Sequence, residues 1–108
     1  MDSGTAIIIL LDMYEKLLTE NQAKILRLHF DEDLSLSEIG ELCGISRQAV
    51  SDTIQKGRQQ LFHYETVLKL AEKEEKIHQT IKLLENNIEN PLRIKEGITQ
   101  LKKIMEEP

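Results

Sequence analysis

Seven residues between positions 46 and 56 have the side chains and the spacing to read a nucleic acid: Ser46, Arg47, Gln48, Ser51, Asp52, Gln55 and Lys56. On a helix that begins at Arg47, the residues Val50, Ile54 and Leu61 fall on one side, with Gln48, Ser51, Asp52, Gln55 and Gln59 opposite them. A carboxamide presents a donor and an acceptor side by side, so Gln48 and Gln55 can each pair with the edge of an adenine. Ser51 is permissive, and Arg47 or Lys56 at the flank can hold phosphate or guanine. Asp52 is the discordant member because it repels phosphate. It can accept a hydrogen bond from cytosine, or restrain Lys56 or Arg58 on its own helix. The same face, without nucleic acid, would serve as plain architecture or as a protein-docking surface.

No other group of residues points to chemistry. His29, His63 and His78 are widely spaced and form no His-Glu-x-x-His pattern, so a metal site is not expected. The single cysteine, Cys43, excludes an internal disulfide and sits where an apolar residue is needed. Glu72, Glu74 and Glu75 alternate with Lys69, Lys73 and Lys76, the pattern of a solvated helix face. A glycine-rich phosphate loop, an activated serine and a paired-carboxylate pocket are all missing from the sequence, so neither an enzyme nor a cofactor is expected.

The elements that must position the seven residues are legible from caps and breaks. Apolar positions recur at three and four residues, and no Asn-Gly or Asp-Gly hairpin turn occurs, so the expected fold class is all-α. A first helix is expected over about 5–18, with Ile7, Leu10, Leu11, Tyr14, Leu17 and Leu18 in one stripe. Thr19-Glu20-Asn21-Gln22 and Ser35-Leu36-Ser37-Glu38 each have the form of a capping box, so helices should start at Glu20 and Leu36. The second of these is short and should bury Leu36, Ile39 and Leu42 or Cys43 before Gly44 reverses the chain. Ser46 then caps a long helix expected to run from Arg47 to about Glu75. Residues 36–61 thus have the layout of a helix-turn-helix, in which Gly40 leaves room where two backbones approach and Ile45 plugs the junction. The expected organisation is a helix-turn-helix domain over 1–75, with the motif at 36–61, and a helical hairpin arm over 76–108.

Composition bounds the partners. With 108 residues and 4% aromatic content, one compact domain with an appendage is the ceiling, and Leu, Ile and Val must fill the core. The apolar run from Ala6 to Leu11 is far below the roughly 18 residues that cross a bilayer, so a cytoplasmic protein without membrane contact is expected. The formal charge of −5 is awkward for a phosphate binder. It is unevenly spread. Residues 1–34 carry seven acidic groups against three basic, and residues 61–90 six against four. Residues 35–60 are balanced at three and three, and residues 91–108 have four basic against three acidic.

The stretches 18–22 (LTENQ), 33–40 (DLSLSEIG) and 45–52 (ISRQAVSD), followed by Tyr64-Glu65, resemble the YlxM family of Gram-positive bacteria over most of residues 10–75. The helix-turn-helix part is similar to region 4 of bacterial sigma factors, which reads promoter DNA. The resemblance implies a DNA-binding regulator, or an accessory factor for the signal recognition particle, since genes of the family commonly lie beside those for the particle's components. The implied partners are therefore DNA, or the particle's RNA or protein. Gly40 stands where alanine is common in that family.

The arm contains two seams of coiled-coil spacing, Ile77, Ile81, Leu84 and Ile88, then Ile94, Ile98, Leu101 and Met105, divided at Asn90-Pro91. They can pair with each other and fold onto the first helices, or zip against a second copy. A homodimer is the expectation, because paired units would double the phosphate contacts of a weakly charged one. The competing expectation is a protein-interaction adaptor in which the arm docks a basic partner and the helix-turn-helix is scaffold.

Overall fold

A computed structural model describes residues 4–107. Among the described residues there are six α-helices and no strand: α1 Gly4–Tyr14, α2 Glu20–Phe30, α3 Leu36–Cys43, α4 Arg47–Leu68, α5 Leu70–Asn86 and α6 Pro91–Glu106. The chain divides into two compact units between Leu68 and Lys69.

In the first unit α4 packs on α1, α2 and α3, and its core is aliphatic apart from one tyrosine. Ile7, Leu10, Leu11, Tyr14 and Leu18 face inward from the amino-terminal segment, Ile25 and Leu26 from α2, Ile39 from α3, and Val50, Ile54 and Leu61 from α4. Leu17 departs from the expected stripe. The chain tightens into a 3-10 turn over Glu15–Leu17, which rotates Leu17 outward while extended Leu18 returns to the core. Both capping boxes form. The Thr19 hydroxyl accepts from the Gln22 amide and the Ser35 hydroxyl from the Glu38 amide, while the Gln22 and Glu38 side chains accept from the cap residues' own amides.

A cation clamps the carboxyl ends of α1 and α2 together. Arg27 on α2 donates to Asp12 on α1 at 2.9 Å, to Glu15 at 3.1 Å and to Asp31 at 2.9 Å. The bond to Glu15, then those to Asp12 and Asp31, raise the guanidinium further above its already high ordinary pKa, against the opposing effect of partial burial. Near the carboxyl end of α4, the Tyr64 hydroxyl donates to the Leu17 carbonyl and the Tyr14 hydroxyl donates to the Glu65 carboxylate.

The long helix expected after Ser46 is two helices. α4 stops at Leu68, and Lys69 adopts a left-handed backbone (φ 56°, ψ 31°) before α5 begins at Leu70. No glycine or proline marks this break, and the apolar residues Val67, Leu68 and Leu70 around it are exposed.

The second unit is the helical hairpin α5–α6. Its turn is set by Asn90, whose side chain accepts from the amides of Leu92 and Arg93 while Pro91 occupies the first helical position. The helices run antiparallel, with Lys73 and Lys76 reaching Glu107, and the Thr80 hydroxyl 3.5 Å from the Gln100 side-chain oxygen. The buried line is not the expected pair of seams. Thr80, Gly97 and Ile104 lie innermost, and Leu84 occupies the space that a side chain at position 97 would need. Small residues let the two backbones approach closely there, and the isoleucine stripes are displaced to one side of the hairpin.

Candidate nucleic-acid interface

The turn between α3 and α4 is built by two glycines with different jobs. Gly44 takes the left-handed conformation (φ 70°, ψ 33°) that ends α3, and its amide donates to the Gly40 carbonyl. The Ile45 amide donates to that same carbonyl at 3.0 Å. Gly40 supplies space: a Cβ built there would stand 2.8 Å from the Ile45 carbonyl oxygen and 3.6 Å from the Arg47 amide nitrogen. The start of α4 therefore lies directly against the backbone of α3. Ser46 caps α4, its hydroxyl accepting from the Ala49 amide at 3.0 Å.

Two details of the motif differ from expectation. The Ile45 side chain is more than a third exposed, and it is the Ile45 carbonyl that fills the junction. In α3, Ile39 is buried but Leu36 and Cys43 are only half-buried and Leu42 is exposed, because an eight-residue helix turns a single narrow face to the core.

Val50, Ile54 and Leu61 anchor α4, which leaves the opposite side to solvent. Arg47, Gln48, Asp52, Gln55, Lys56 and Gln59 are exposed, and Ser51 is half-buried at the edge. Gln48 and Gln55 lie two helical turns apart on this side, about 10 Å along the axis. Asp52 between them is held by Gln48, whose amide donates to it at 3.0 Å. The restraint that Asp52 makes is thus with a neighbour on the outward face itself. Ser46 is exposed, but its hydroxyl already serves the helix start, which leaves its lone pairs only partly free for a ligand.

Further along α4, Gln55, Arg58, Gln59 and Phe62 line a shallow depression. Arg58 and Phe62 were not among the expected contacts. They sit between the core and outer sides of the wheel, where spacing alone gives no assignment. Gly57, also not singled out in the sequence, lies on the buried side of α4 against Leu26 of α2, 2.6 Å from where its Cβ would sit. A glycine in the middle of an otherwise good helix is the signal that marks such a close crossing.

His29 is engaged structurally, its Nδ1 lying 2.9 Å from the Leu34 carbonyl and its ring edge-on to Phe30. Among the described residues no group of three or more His, Cys, Asp or Glu side chains is arranged to hold a metal ion, and no helix is long and apolar enough to cross a membrane.

Comparison with known proteins agrees with this architecture. Residues 1–106 match a family model described as "Putative helix-turn-helix protein, YlxM / p13 like". A UPF0122 protein of Clostridium botulinum is 45% identical over 73 residues, covering 68% of this chain and 67% of the relative. One from Clostridium kluyveri is 44% identical over 82 residues, covering 76% and 74%. One from Staphylococcus epidermidis is 37% identical over 95 residues, covering 88% and 86%. With nearly its whole length matched and the turn geometry in place, the chain belongs to the UPF0122 family of YlxM- and p13-like helix-turn-helix proteins.

Proposed function

We propose that this protein binds nucleic acid through the outward side of α4, with Gln48 and Gln55 reading base edges, Arg47 and Lys56 holding phosphate, and Ser51 as a permissive neighbour. The observation that carries the reading is the close approach at Gly40, which fixes α4 across α3 while its Gln48/Gln55 side stays exposed. That is how a recognition helix enters a major groove. Two glutamines spaced by two turns, about 10 Å, suit contacts to bases roughly three base pairs apart better than they suit a solvated surface, where lysine and glutamate are the ordinary choices.

Affinity in this reading is modest and dependent on sequence contacts. Residues 35–60 are electrically balanced, so each copy has only about two cations for phosphate, and raising salt weakens binding with a log-log slope of roughly −2 per copy. The resemblance to YlxM proteins directs the search to DNA regulating the targeting machinery, or to the RNA of the signal recognition particle, and the action is that of a cytoplasmic regulatory or accessory factor. The test is selection of ligands by the full chain at low salt, from a random DNA duplex pool and from a small-RNA pool, followed by sequencing. An enriched sequence or fold whose retention drops with Gln48→Ala or Gln55→Ala supports the reading; no enrichment from either pool rejects it.

The acidic balance favours one second reading. Asp52 stands within the outward face and the chain carries −5, which suits a basic protein surface as partner. Under this alternative the helix-turn-helix is a scaffold, and a defined protein co-purifies after nuclease treatment. Recovery of nucleic acid alone excludes it.

A further inference from the structure

The α5–α6 hairpin has one apolar side left open. Ile81 and Ile88 on α5, and Ile98 and Met105 on α6, are 42, 76, 46 and 79% exposed. At 100° per residue, Ile81 and Ile88 lie about 80–100° round the helix from buried Thr80, and Ile98 and Met105 the same angle from buried Gly97. The sense of rotation is the same in both helices. Because α6 runs antiparallel to α5, equal rotations from the shared contact line bring both stripes to one side, where they form a single face. Scaled to about 200 Å² per aliphatic side chain, the four residues expose on the order of 500 Å² of apolar surface, near the upper end for a free monomer. Half-buried neighbours and the stems of flanking charges bring this toward the roughly 800 Å² per partner of a standard interface.

The two borders of the face carry opposite charges. On the α5 side the next residues outward are Glu74 and Glu85; on the α6 side they are Lys95 and Lys102. Thr80 lies level with Gln100 and Leu84 with Gly97, which puts Glu85 level with Lys95 across the hairpin.

From this pattern we infer that the face is covered by the same face of a second copy, about a twofold axis parallel to the helices, giving a four-helix bundle in which α5 of each copy lies against α6 of the other. An axis parallel to the helices preserves height and exchanges left for right. It sets Glu85 beside Lys95 of the second copy, twice, and brings Glu74 toward Lys102. The alternative twofold, across the helices, stacks acidic border on acidic border and basic on basic. Every helix in the inferred bundle is antiparallel to both neighbours, the arrangement of an up-down four-helix bundle. A basic partner protein fits less well, since half of the border is itself basic.

The experiment is sedimentation equilibrium of the full chain with four variants, each checked by circular dichroism for unchanged helix content. Wild type is expected to be dimeric, and Ile88→Asp monomeric at the same concentration. Glu85→Lys and Lys95→Glu should each raise the dimer dissociation constant about three- to tenfold, and the double reversal should restore it. A monomeric wild type overturns the inference. A dimer indifferent to Ile88→Asp, or a double reversal no better than the singles, overturns it equally. None of these readouts requires nucleic acid, so they stand or fall apart from the α4 reading.

Discussion

Replacing Gly40 tests the geometry on which the recognition surface depends. A Cβ at position 40 falls 2.8 Å from the Ile45 carbonyl oxygen, about 0.6 Å inside the ordinary 3.4 Å contact, and the obstacle is backbone with no rotamer to change. The first turn of α4 must then move away from α3. Overpacking of this size costs about 1–3 kcal/mol, while alanine gains about 1 kcal/mol over glycine as a helix former. Gly40→Ala is therefore expected to destabilise the first unit by about 0–2 kcal/mol, consistent with the alanine common here in the YlxM pattern. Gly40→Leu carries three more carbons into the same gap and should cost more than about 3 kcal/mol. Gly57→Ala is the comparison, because the nearest obstacle is a methyl of buried Leu26 and not backbone: repacking costs about 1–3 kcal/mol against the roughly 1 kcal/mol gained by alanine, and the net cost should stay below that of Gly40→Leu. Tyr14 and Tyr64 are both in the first unit and the protein has no tryptophan, so tyrosine fluorescence during urea unfolding follows that unit alone. With a slope of about 1–2 kcal/mol per molar urea, each 1 kcal/mol moves the midpoint by roughly 0.5–1 M. A Gly40→Leu variant with a wild-type midpoint, or a Gly40→Ala variant more stable by the full helix gain, would show that the two backbones are not in contact.

Three further outcomes follow from single side chains. Arg27→Met removes three ion pairs and should destabilise the first unit by about 1–2 kcal/mol, with the difference from wild type shrinking in high salt, as urea unfolding at two ionic strengths will show. Asp52→Asn keeps an acceptor for Gln48 but removes the negative charge from the outward side of α4, so nucleic-acid affinity should rise several-fold at low salt in an anisotropy titration; unchanged or weaker binding would place Asp52 outside the interface or in a base contact. The Ser35 amide, and then the Ser35 hydroxyl, hold the Glu38 carboxyl below the ordinary glutamate range. A lowered folded-state pKa means that this stabilisation is present above the unfolded value and is lost as pH falls through the folded one. NMR titration of Glu38 should accordingly give a midpoint below that of a glutamate in an unstructured peptide, and α3 should fray first at its amino end on acidification.

Where the sequence states its own boundary chemistry, it was readable. Thr19-x-x-Gln22, Ser35-x-x-Glu38, Gly44 and Asn90-Pro91 each satisfy backbone groups locally, so each marks its helix end without knowledge of the fold. The outward position of Gln48 and Gln55 followed equally from the period of Val50, Ile54 and Leu61. The break at Lys69 was not readable, because a non-glycine residue adopts the left-handed conformation there and no local signal announces it. Leu17 faces outward where an unbroken α-helical period puts it inward, because the 3-10 turn changes the angular step there. In the arm, isoleucine spacing suggested the contact line, yet close approach selects the smallest residues, so Thr80 and Gly97 lie innermost and the larger side chains flank them. Gly40 was legible as a space-maker, and the atom that needs the space, the Ile45 carbonyl oxygen, emerged only from the fold.

The central claim is that α4 presents a recognition surface, and a salt titration of binding tests it most directly. Fluorescence anisotropy of the full chain with its best selected ligand should give a log-log salt slope near −2 per bound copy, reduced by about 1 in Arg47→Ala, while Gln48→Ala and Gln55→Ala weaken binding to that ligand and leave the slope unchanged. Equal binding by wild type and all three variants would contradict the claim, because the affinity would then reside elsewhere on the molecule.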